Sequence, residues 1–490
     1  MDHSNERSGE ALRLNEAELK SFAQKLSCLL SKGDTLFLKG DLGAGKSTFA
    51  RALIRAIAMD EELEVQSPTF PLLIPYQTKR AEISHYDLYR LSDNSEVEEL
   101  GLYDELSDHI TLIEWPEQLG EKHNLNDRFE ILLEEPNQSE DEEDSRLLTI
   151  KGYGKVNDKS ERFFKILRFL EGTEWSKANL QGDASTRSYI RLQNGASNAL
   201  LMNAPPQPDG PPIRDGKPYS QIAHLAEDMT SFVGVSNALI EAGLSAPKVH
   251  KFNIEEGLLL INDLGDNQLY HMITEEGANQ QTLYETAIDI LCELRNHHPK
   301  PMPVGVNLYE LPAYSNEALS IEAELVIDWY WPKLKNAEIS DDERVAYQQI
   351  WAKLFDELKP NNTQWVLRDF HSPNLMHLPE QSGLKLLGII DFQDAVLGHP
   401  AYDAVSLCQD ARITVPEDVE QHLLTRYLET AKQKDSSFDE EDFLKCYAIL
   451  GAQRASKLLG IFVRLAVRDG KTHYLAHIPR IWDYLERNLK

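Results

Sequence analysis

The sequence predicts an α/β domain organised on a parallel sheet, followed by a two-lobed α+β unit, in a chain of 490 residues. Three observations carry this expectation. The apolar run "DTLFLKG" enters a glycine-rich turn and then the amphipathic stretch "STFARALIRAIA", a strand–loop–helix alternation of the kind that builds parallel sheets. Near residue 157 the texture changes, from alternating strands and helices to a group of early strands followed by long helical stretches. The length itself exceeds what one hydrophobic core sustains, so at least two folded units are expected.

Residues 16 to 31 place Leu19, Phe22, Ala23, Leu26, Leu29 and Leu30 at helical spacing ahead of the first strand. "EISHYDLYRL" and "ITLIEWPEQL" each put a β-rich run before acidic and turn residues. "RFEILLEE" and "RLLTIKGYG" read as two strands joined by "PNQSEDEED", an acidic tract with too little apolar content to be anything but a solvated loop. Gly152 and Gly154 then lead into a polar connector, which sets the expected domains at 1–157 and 158–490. The second part opens with "SERFFKILRFLEG", a small-residue turn in "GDASTRSYIRL", a strand at "ALLMNAPP" and a proline-rich loop at 205 to 218. No internal repeat relates the two parts.

Hydrophobic content of 41% and charged content of 27% are ordinary for a globular protein. Eighty acidic against fifty basic residues give a net charge of −30, which disfavours tight direct binding of nucleic acid. The four cysteines, Cys28, Cys292, Cys408 and Cys446, form no CxxC pair and fit four buried thiols in a reducing compartment. The N-terminus lacks the apolar core of a signal peptide, and no apolar run approaches a membrane span, so a cytoplasmic location is expected, with no membrane partner.

"GDLGAGKS" satisfies GxxxxGK[ST] with Gly40, Gly45, Lys46 and Ser47. Glycines, Gly43 among them, let backbone N–H groups curl around phosphate oxygens, and the helix N-terminus adds its partial positive charge. Lys46 neutralises the β/γ-phosphates and the Ser47 hydroxyl suits magnesium; Thr48 is a second hydroxyl beside the phosphates, out of register for the metal. Asp87 and Glu114 each follow a predicted strand, from which a carboxylate reaches magnesium or orients water. Taken singly, each is as well explained as a surface charge.

With "SPTFPLL", "HYDLYRL", "ELGLYDEL" and "IEWPEQL" following the glycine loop in that order, residues 10 to 155 resemble the TsaE family, P-loop ATPases of tRNA threonylcarbamoyladenosine biosynthesis. The resemblance implies an α/β P-loop NTPase fold, hydrolysis of ATP, and partners of the TsaB and TsaD kind that would hold the tRNA. It implies Lys46 as phosphate ligand, Ser47 and Glu114 as magnesium ligands and Asp87 as a catalytic carboxylate.

A second phosphate chemistry is written in "LRDFHSPNLM". Asp369 and Asn374 have the D-x-x-x-x-N spacing of a kinase catalytic loop, aspartate as base and asparagine as metal ligand. "LLGIIDFQD" then delivers Asp391 at the end of an apolar strand, as a second magnesium ligand. His371 reads as loop support. Upstream, Gly182, Ser185 and Thr186 in "GDASTRSYIRL" offer a turn over the ATP phosphates, without a full GxGxxG. Met202 and Asn203 stand where protein kinases carry a strand lysine, and "LLLINDLGD" reads either as a hinge strand for adenine or as a plain core strand.

Residues 160 to 490 resemble the aminoglycoside phosphotransferase superfamily, a two-lobed protein-kinase-like α+β fold, and within it the AmgK-type sugar kinases. "GDASTRSYIRL", the lysine-less "LLMNAPP", "LRDFHSPNLM", "GIIDFQDAVLGHPAYDAVSL" and the tail "AQRASKLLGIFVRLAVRDGKTHYLAHIPR" carry the likeness. It implies transfer of the ATP γ-phosphoryl, with Mg2+, to the anomeric hydroxyl of N-acetylmuramate or N-acetylglucosamine in cell-wall recycling. Arg454, Arg464 and Arg468 are candidates for an acidic sugar or, more conservatively, partners of local carboxylates. Two other readings stand beside this one: a non-catalytic ATP- or sugar-sensing regulator of the first domain, and a kinase for another hydroxyl. "DFQD" in place of DFG and the absent lysine argue against a protein kinase.

Overall fold

The computed structural model describes residues 11–91, 101–120, 125–136, 145–175, 179–181, 188–195, 197–206, 210–358 and 363–490. Two compact units emerge: residues 1–205 with 251–261, and residues 206–250 with 262–490.

The first unit opens with strand β1 (Ala11–Leu14) and helix α1 (Glu16–Ser27). α1 starts where it does because Asn15 and Glu18 form a reciprocal capping box: Oδ1 of Asn15 accepts the Glu18 amide at 2.9 Å, and Oε2 of Glu18 accepts the Asn15 amide at 3.0 Å. Strand β2 (Thr35–Lys39), buried along nearly its whole length, feeds the glycine loop and helix α2 (Lys46–Ala58). Strands β3 (Leu73–Gln77), β4 (Glu82–Asp87), β5 (His109–Glu114), β6 (Arg128–Glu134) and β7 (Arg146–Tyr153) complete a seven-stranded sheet in the order β1-β7-β6-β2-β5-β4-β3. Its centre, β6-β2-β5-β4, is parallel, and β1, β7 and β3 pair antiparallel at the edges. Most of "PNQSEDEED" lies outside the described residues.

Helix α3 (Asn157–Leu170) crosses the expected junction at 157. Beyond it, strands β8 (Asn179–Gln181), β9 (Ser188–Asn194) and β10 (Ser197–Asn203) join β13 (Val249–Asn253) and β14 (Leu258–Asn262) in a five-stranded sheet, order β13-β14-β10-β9-β8; the short β11 (Pro212–Arg214) and β12 (Lys217–Pro218) pair apart from it. One hydrophobic core runs from Leu19, Phe22 and Leu53 through Phe163, Ile166 and Phe169 to Ile190, Leu201 and Leu260. α3 is thus apolar toward both sheets' elements, and its polar side chains fasten it at either side. Lys159 Nζ donates to both carboxylate oxygens of Asp34 at 2.8 Å. Arg162 Nε donates to Oδ1 of Asn203 at 2.8 Å, and its Nη1 to the Glu256 carbonyl at 2.6 Å. Asn203, at the position where protein kinases carry lysine, serves here as an anchor for α3.

The second unit is mainly helical. Helices α4 (Thr230–Glu241), α5 (Gln280–Leu294), α6 (Asn316–Ala323), α7 (Ala401–Cys408) and the 29-residue α8 (Glu440–Arg468) surround three short antiparallel pairs. These are β15 (Met302–Val304) with β16 (Asn307–Tyr309), β17 (Gln364–Val366) with β20 (Val396–Gly398), and β18 (Leu375–His377) with β19 (Leu387–Ile389). Beneath them Glu322, fully buried on α6, receives Lys457 Nζ of α8 at 2.9 Å together with the Arg368 guanidinium and the Tyr314 hydroxyl. Burial opposes the charge on Glu322, but Lys457 and Arg368 outweigh it and hold the carboxyl down at about 2. All four cysteines are buried, and none of them is in a disulfide. Among the described residues no helix is long and apolar enough to cross a membrane.

Candidate active sites

The first site sits at the carboxyl ends of the parallel strands, where open α/β sheets bind ligands. Its loop needs glycine: Gly40 has φ +132°, and a Cβ there would stand 2.2 Å from the Leu133 carbonyl oxygen. Gly45, at φ +105°, is the residue before the first turn of α2. Lys46 Nζ donates to the carbonyls of Gly40 at 2.6 Å and Asp41 at 2.8 Å, and lies 3.8 Å from the centre of the Trp115 ring. Burial lowers the Lys46 pKa, opposed by Glu114, Glu117, Asp87 and Asp41.

The register that pairs Asp87 with Glu114 sets both carboxylates side by side at the strand ends. Ser47 Oγ donates to Oε2 of Glu114 at 3.0 Å, and His85 Nε2 meets the other oxygen at 3.0 Å. Asp87 accepts from Thr69 Oγ1 at 3.0 Å and from the Tyr89 amide at 3.1 Å. Lys46, Ser47, Thr69, Asp87 and Glu114 line a cavity of about 410 Å³ together with Gly43 and Thr48, and His85 stands behind Glu114. A hydroxyl and two carboxylates in this arrangement are the hard oxygen donors that suit magnesium.

Two participants were not singled out from sequence. His85 is two residues before Asp87, on the same face of β4, a period-2 signal that pointed to it. Trp115, with φ +57°, turns the chain between β5 and the following proline and lays its ring under Lys46; a bulky residue in that conformation has no sequence signature beyond the Trp-Pro pair.

The catalytic-loop residues of the second site, Asp369, Asn374 and Asp391, lie in the second unit. Asn374 Nδ2 donates to the Asp369 carbonyl at 2.9 Å and to Oδ2 of Asp391 at 3.2 Å, so the catalytic-loop asparagine joins the two aspartates. Gln393 Nε2 donates to the other Asp391 oxygen at 2.8 Å. Both turns are strained: Arg368 has φ +69° and Asp391 φ +59°. The first is held because Asp403, from α7, accepts the amides of Leu367 at 2.6 Å and Arg368 at 3.0 Å. Asp410, just past α7, accepts the Ser372 amide at 2.9 Å, its hydroxyl at 2.6 Å and the Tyr284 hydroxyl at 2.8 Å. Burial works against the Asp410 charge, but His371 and the Ser372 donors outweigh it and keep its pKa below the ordinary value. His371 is buried against this network, with its pKa lowered chiefly by burial, in keeping with a supporting role.

Gly182, Ser185 and Thr186 lie outside the described residues. The three tail arginines have separate partners. Arg454 is buried and its Nη1 donates to the Gln409 carbonyl at 3.4 Å, Arg464 lies 5.4 Å from the Tyr219 ring centre, and Arg468 pairs at the surface with Asp469 at 2.7 Å.

Residues 178–440 match the Phosphotransferase enzyme family, and residues 14–144 match the family described as Threonylcarbamoyl adenosine biosynthesis protein TsaE. The chain belongs to the phosphotransferase enzyme family, with a TsaE domain ahead of it. It is 36% identical over 320 residues to the N-acetylmuramate/N-acetylglucosamine kinase of Caulobacter vibrioides, covering 63% of this chain and 86% of that protein. Its identity to the kinase of the same name from Pseudomonas aeruginosa is 33% over 306 residues, covering 62% of this chain and 81% of that protein. At the other end it is 37% identical over 180 residues to the tRNA threonylcarbamoyladenosine biosynthesis protein TsaE of Rickettsia felis, covering 36% of this chain and 97% of that protein. The chain is therefore a fusion of a TsaE domain and an amino-sugar-kinase-like phosphotransferase domain, each from an ATP-using enzyme family.

Proposed function

We propose that the phosphotransferase domain transfers the γ-phosphoryl of ATP to the anomeric hydroxyl of an N-acetylated amino sugar, N-acetylmuramate or N-acetylglucosamine. We propose further that the TsaE domain hydrolyses ATP in concert with TsaB- and TsaD-like partners in tRNA modification. The functional division falls near residue 157. The observation that carries the kinase reading is that Asn374 bridges the Asp369 backbone carbonyl and the Asp391 carboxylate, which joins the loop bearing the proton acceptor to the two metal-ligand candidates.

In this reading the Asp369 carboxylate takes the proton of the sugar hydroxyl as that oxygen bonds to the γ-phosphorus, and the bridge to the β-phosphate breaks to leave ADP. Asn374 and Asp391 would hold magnesium, whose contribution when bound is to neutralise phosphate charge. Asp403 and Asp410 act at a distance from the reaction by fixing the loop that presents Asp369. At the first site Lys46 would contact phosphate, Ser47 and Glu114 would hold magnesium, His85 fixes Glu114 and Asp87 would orient water. The arrangement of Ser47, His85 and Glu114 supports that assignment.

The test is ATP consumption with N-acetylmuramate, N-acetylglucosamine and a panel of other sugars, locating the phosphate on any product, with Asp369→Ala beside the wild type. A sugar 1-phosphate that depends on Asp369 is expected. Product formed equally by the variant would refute the base assignment, and absence of any product would favour a sensing role for this domain.

A further inference from the structure

We infer that the acceptor subsite of the phosphotransferase domain is the cavity of about 530 Å³ between residues 220–231 and 309–312, and that it favours an uncharged sugar over one bearing a carboxylate. This rests on the sugar-kinase reading and narrows it.

The cavity is assembled on the same short segments that carry the catalytic groups. Its first wall is fixed at two points: Arg368 Nη1, next to Asp369, donates to the Ala223 carbonyl at 2.8 Å, and the Ala226 amide donates to Oδ1 of Asp394 at 2.7 Å. Its second wall is fixed by the Leu397 amide, which donates to the Pro312 carbonyl at 2.8 Å, and by the Tyr314 amide, which donates back to the Leu397 carbonyl at 2.7 Å. Gln393 lines the space between them while its amide donates to Asp391. A ligand in this cavity therefore meets Gln393, two positions from Asp391, and lies against a wall that Arg368, the neighbour of Asp369, holds from behind. His224, on the first wall, is held at φ +52°, a conformation that costs free energy and persists where surroundings over-determine it.

The lining suits a polyhydroxylated ligand. Gln221 and Gln393 offer amides, and Glu227, Asp228 and Glu310 offer carboxylates, which pair well with sugar hydroxyls. Among the described residues no lysine or arginine lines the cavity. Arg368 is engaged by Glu322 behind the wall, and burial lowers the pKa of His224. Three carboxylates without a cation repel a ligand carboxylate and leave hydroxyl and N-acyl recognition untouched.

The experiment is steady-state kinetics of the full chain with N-acetylglucosamine and N-acetylmuramate, at low and high salt, for the wild type, Glu310→Gln and Gln221→Ala. At low salt the wild-type KM for the neutral sugar is expected to be lower by about tenfold, the gap closing as salt screens the carboxylates. Glu310→Gln should lower KM for the acidic sugar severalfold, and Gln221→Ala should raise KM for the neutral one, each with the KM for ATP unchanged. A wild-type preference for the acidic sugar overturns the proposal, as does an unchanged KM for both sugars in both variants. If the wild type turns over no sugar, the kinase reading itself fails and takes this subsite with it, an outcome distinct from the other two.

Discussion

The two phosphate sites solve the same electrostatic problem by different means. The TsaE site is local: Gly40 to Ser47 supply the loop, the cation and the hydroxyl within one turn and the start of one helix, and two neighbouring strands add the carboxylates. The phosphotransferase site is non-local. Its strained turn at Arg368 is held by Asp403 from α7 and by Glu322 from α6, the loop after it by Asp410, and the turn at Asp391 by Asn374 and Gln393. A site made of backbone amides is specified by glycine spacing, whereas a site made of strained loops needs a scaffold of buried charges to hold it.

The sharpest way to break this comparison is to disable one site at a time. Lys46→Ala should abolish partner-stimulated ATP hydrolysis and leave sugar phosphorylation in place. Asp369→Ala should do the reverse, lowering sugar phosphorylation on the order of a hundredfold or more. Assaying both activities on both variants checks it, and loss of both from either change would show that the sites do not act separately.

Next in size is the shared core. Phe163 of α3 packs edge-to-face on Phe22 of α1, ring centres 5.4 Å apart, in the single core of the first unit. Phe163→Ala should destabilise that unit by about 3–5 kcal/mol, measured by denaturant unfolding. A cost under about 1 kcal/mol would mean that the elements on either side of α3 are held by other contacts.

Glu322 tests the scaffold of the second site. Glu322→Gln leaves Arg368 and Lys457 buried without their counter-charge, at a cost of about 3 kcal/mol. Because the Glu322 pKa in the folded chain is depressed to about 2, its stabilisation is complete above the unfolded value near 4.5 and is lost as pH falls toward 2. Unfolding between pH 5 and 2 should therefore be shallower in the variant, as followed by circular dichroism; equal slopes would remove Glu322 from the account.

The smallest expected effect is at the cap of α1. Asn15→Ala removes the capping box and should cost about 1 kcal/mol without changing sugar phosphorylation. A matching loss of kinase rate would tie the α1 end to the second site.

Much of this was legible in sequence because it is encoded in short periods. The α1 stripe, the β2–glycine loop–α2 unit and the strand pair β6–β7 follow from spacing and turn chemistry, and so do the positions of Asp87, Glu114, Asp369, Asn374 and Asp391 relative to their strands. Asp403, Asp410 and Glu322 were not legible, since each acts on residues 35 to 46 positions away through contacts that no local pattern reports. The role of Arg162 was hidden for the same reason, because Asn203 and Glu256 meet it only when β10 and the β13–β14 turn are folded together.

The sequence by itself determined that this chain joins two phosphate chemistries, because phosphate cradles and catalytic loops are runs of consecutive residues whose backbone geometry is set locally. Only the tertiary structure decided that α3 stitches the TsaE sheet and the five-stranded sheet into one core, and that Glu227, Asp228 and Glu310 line one cavity with no lysine or arginine among its described residues. Both are decided by burial and by side chains far apart in the chain, and these come together only when the whole surface is removed from water.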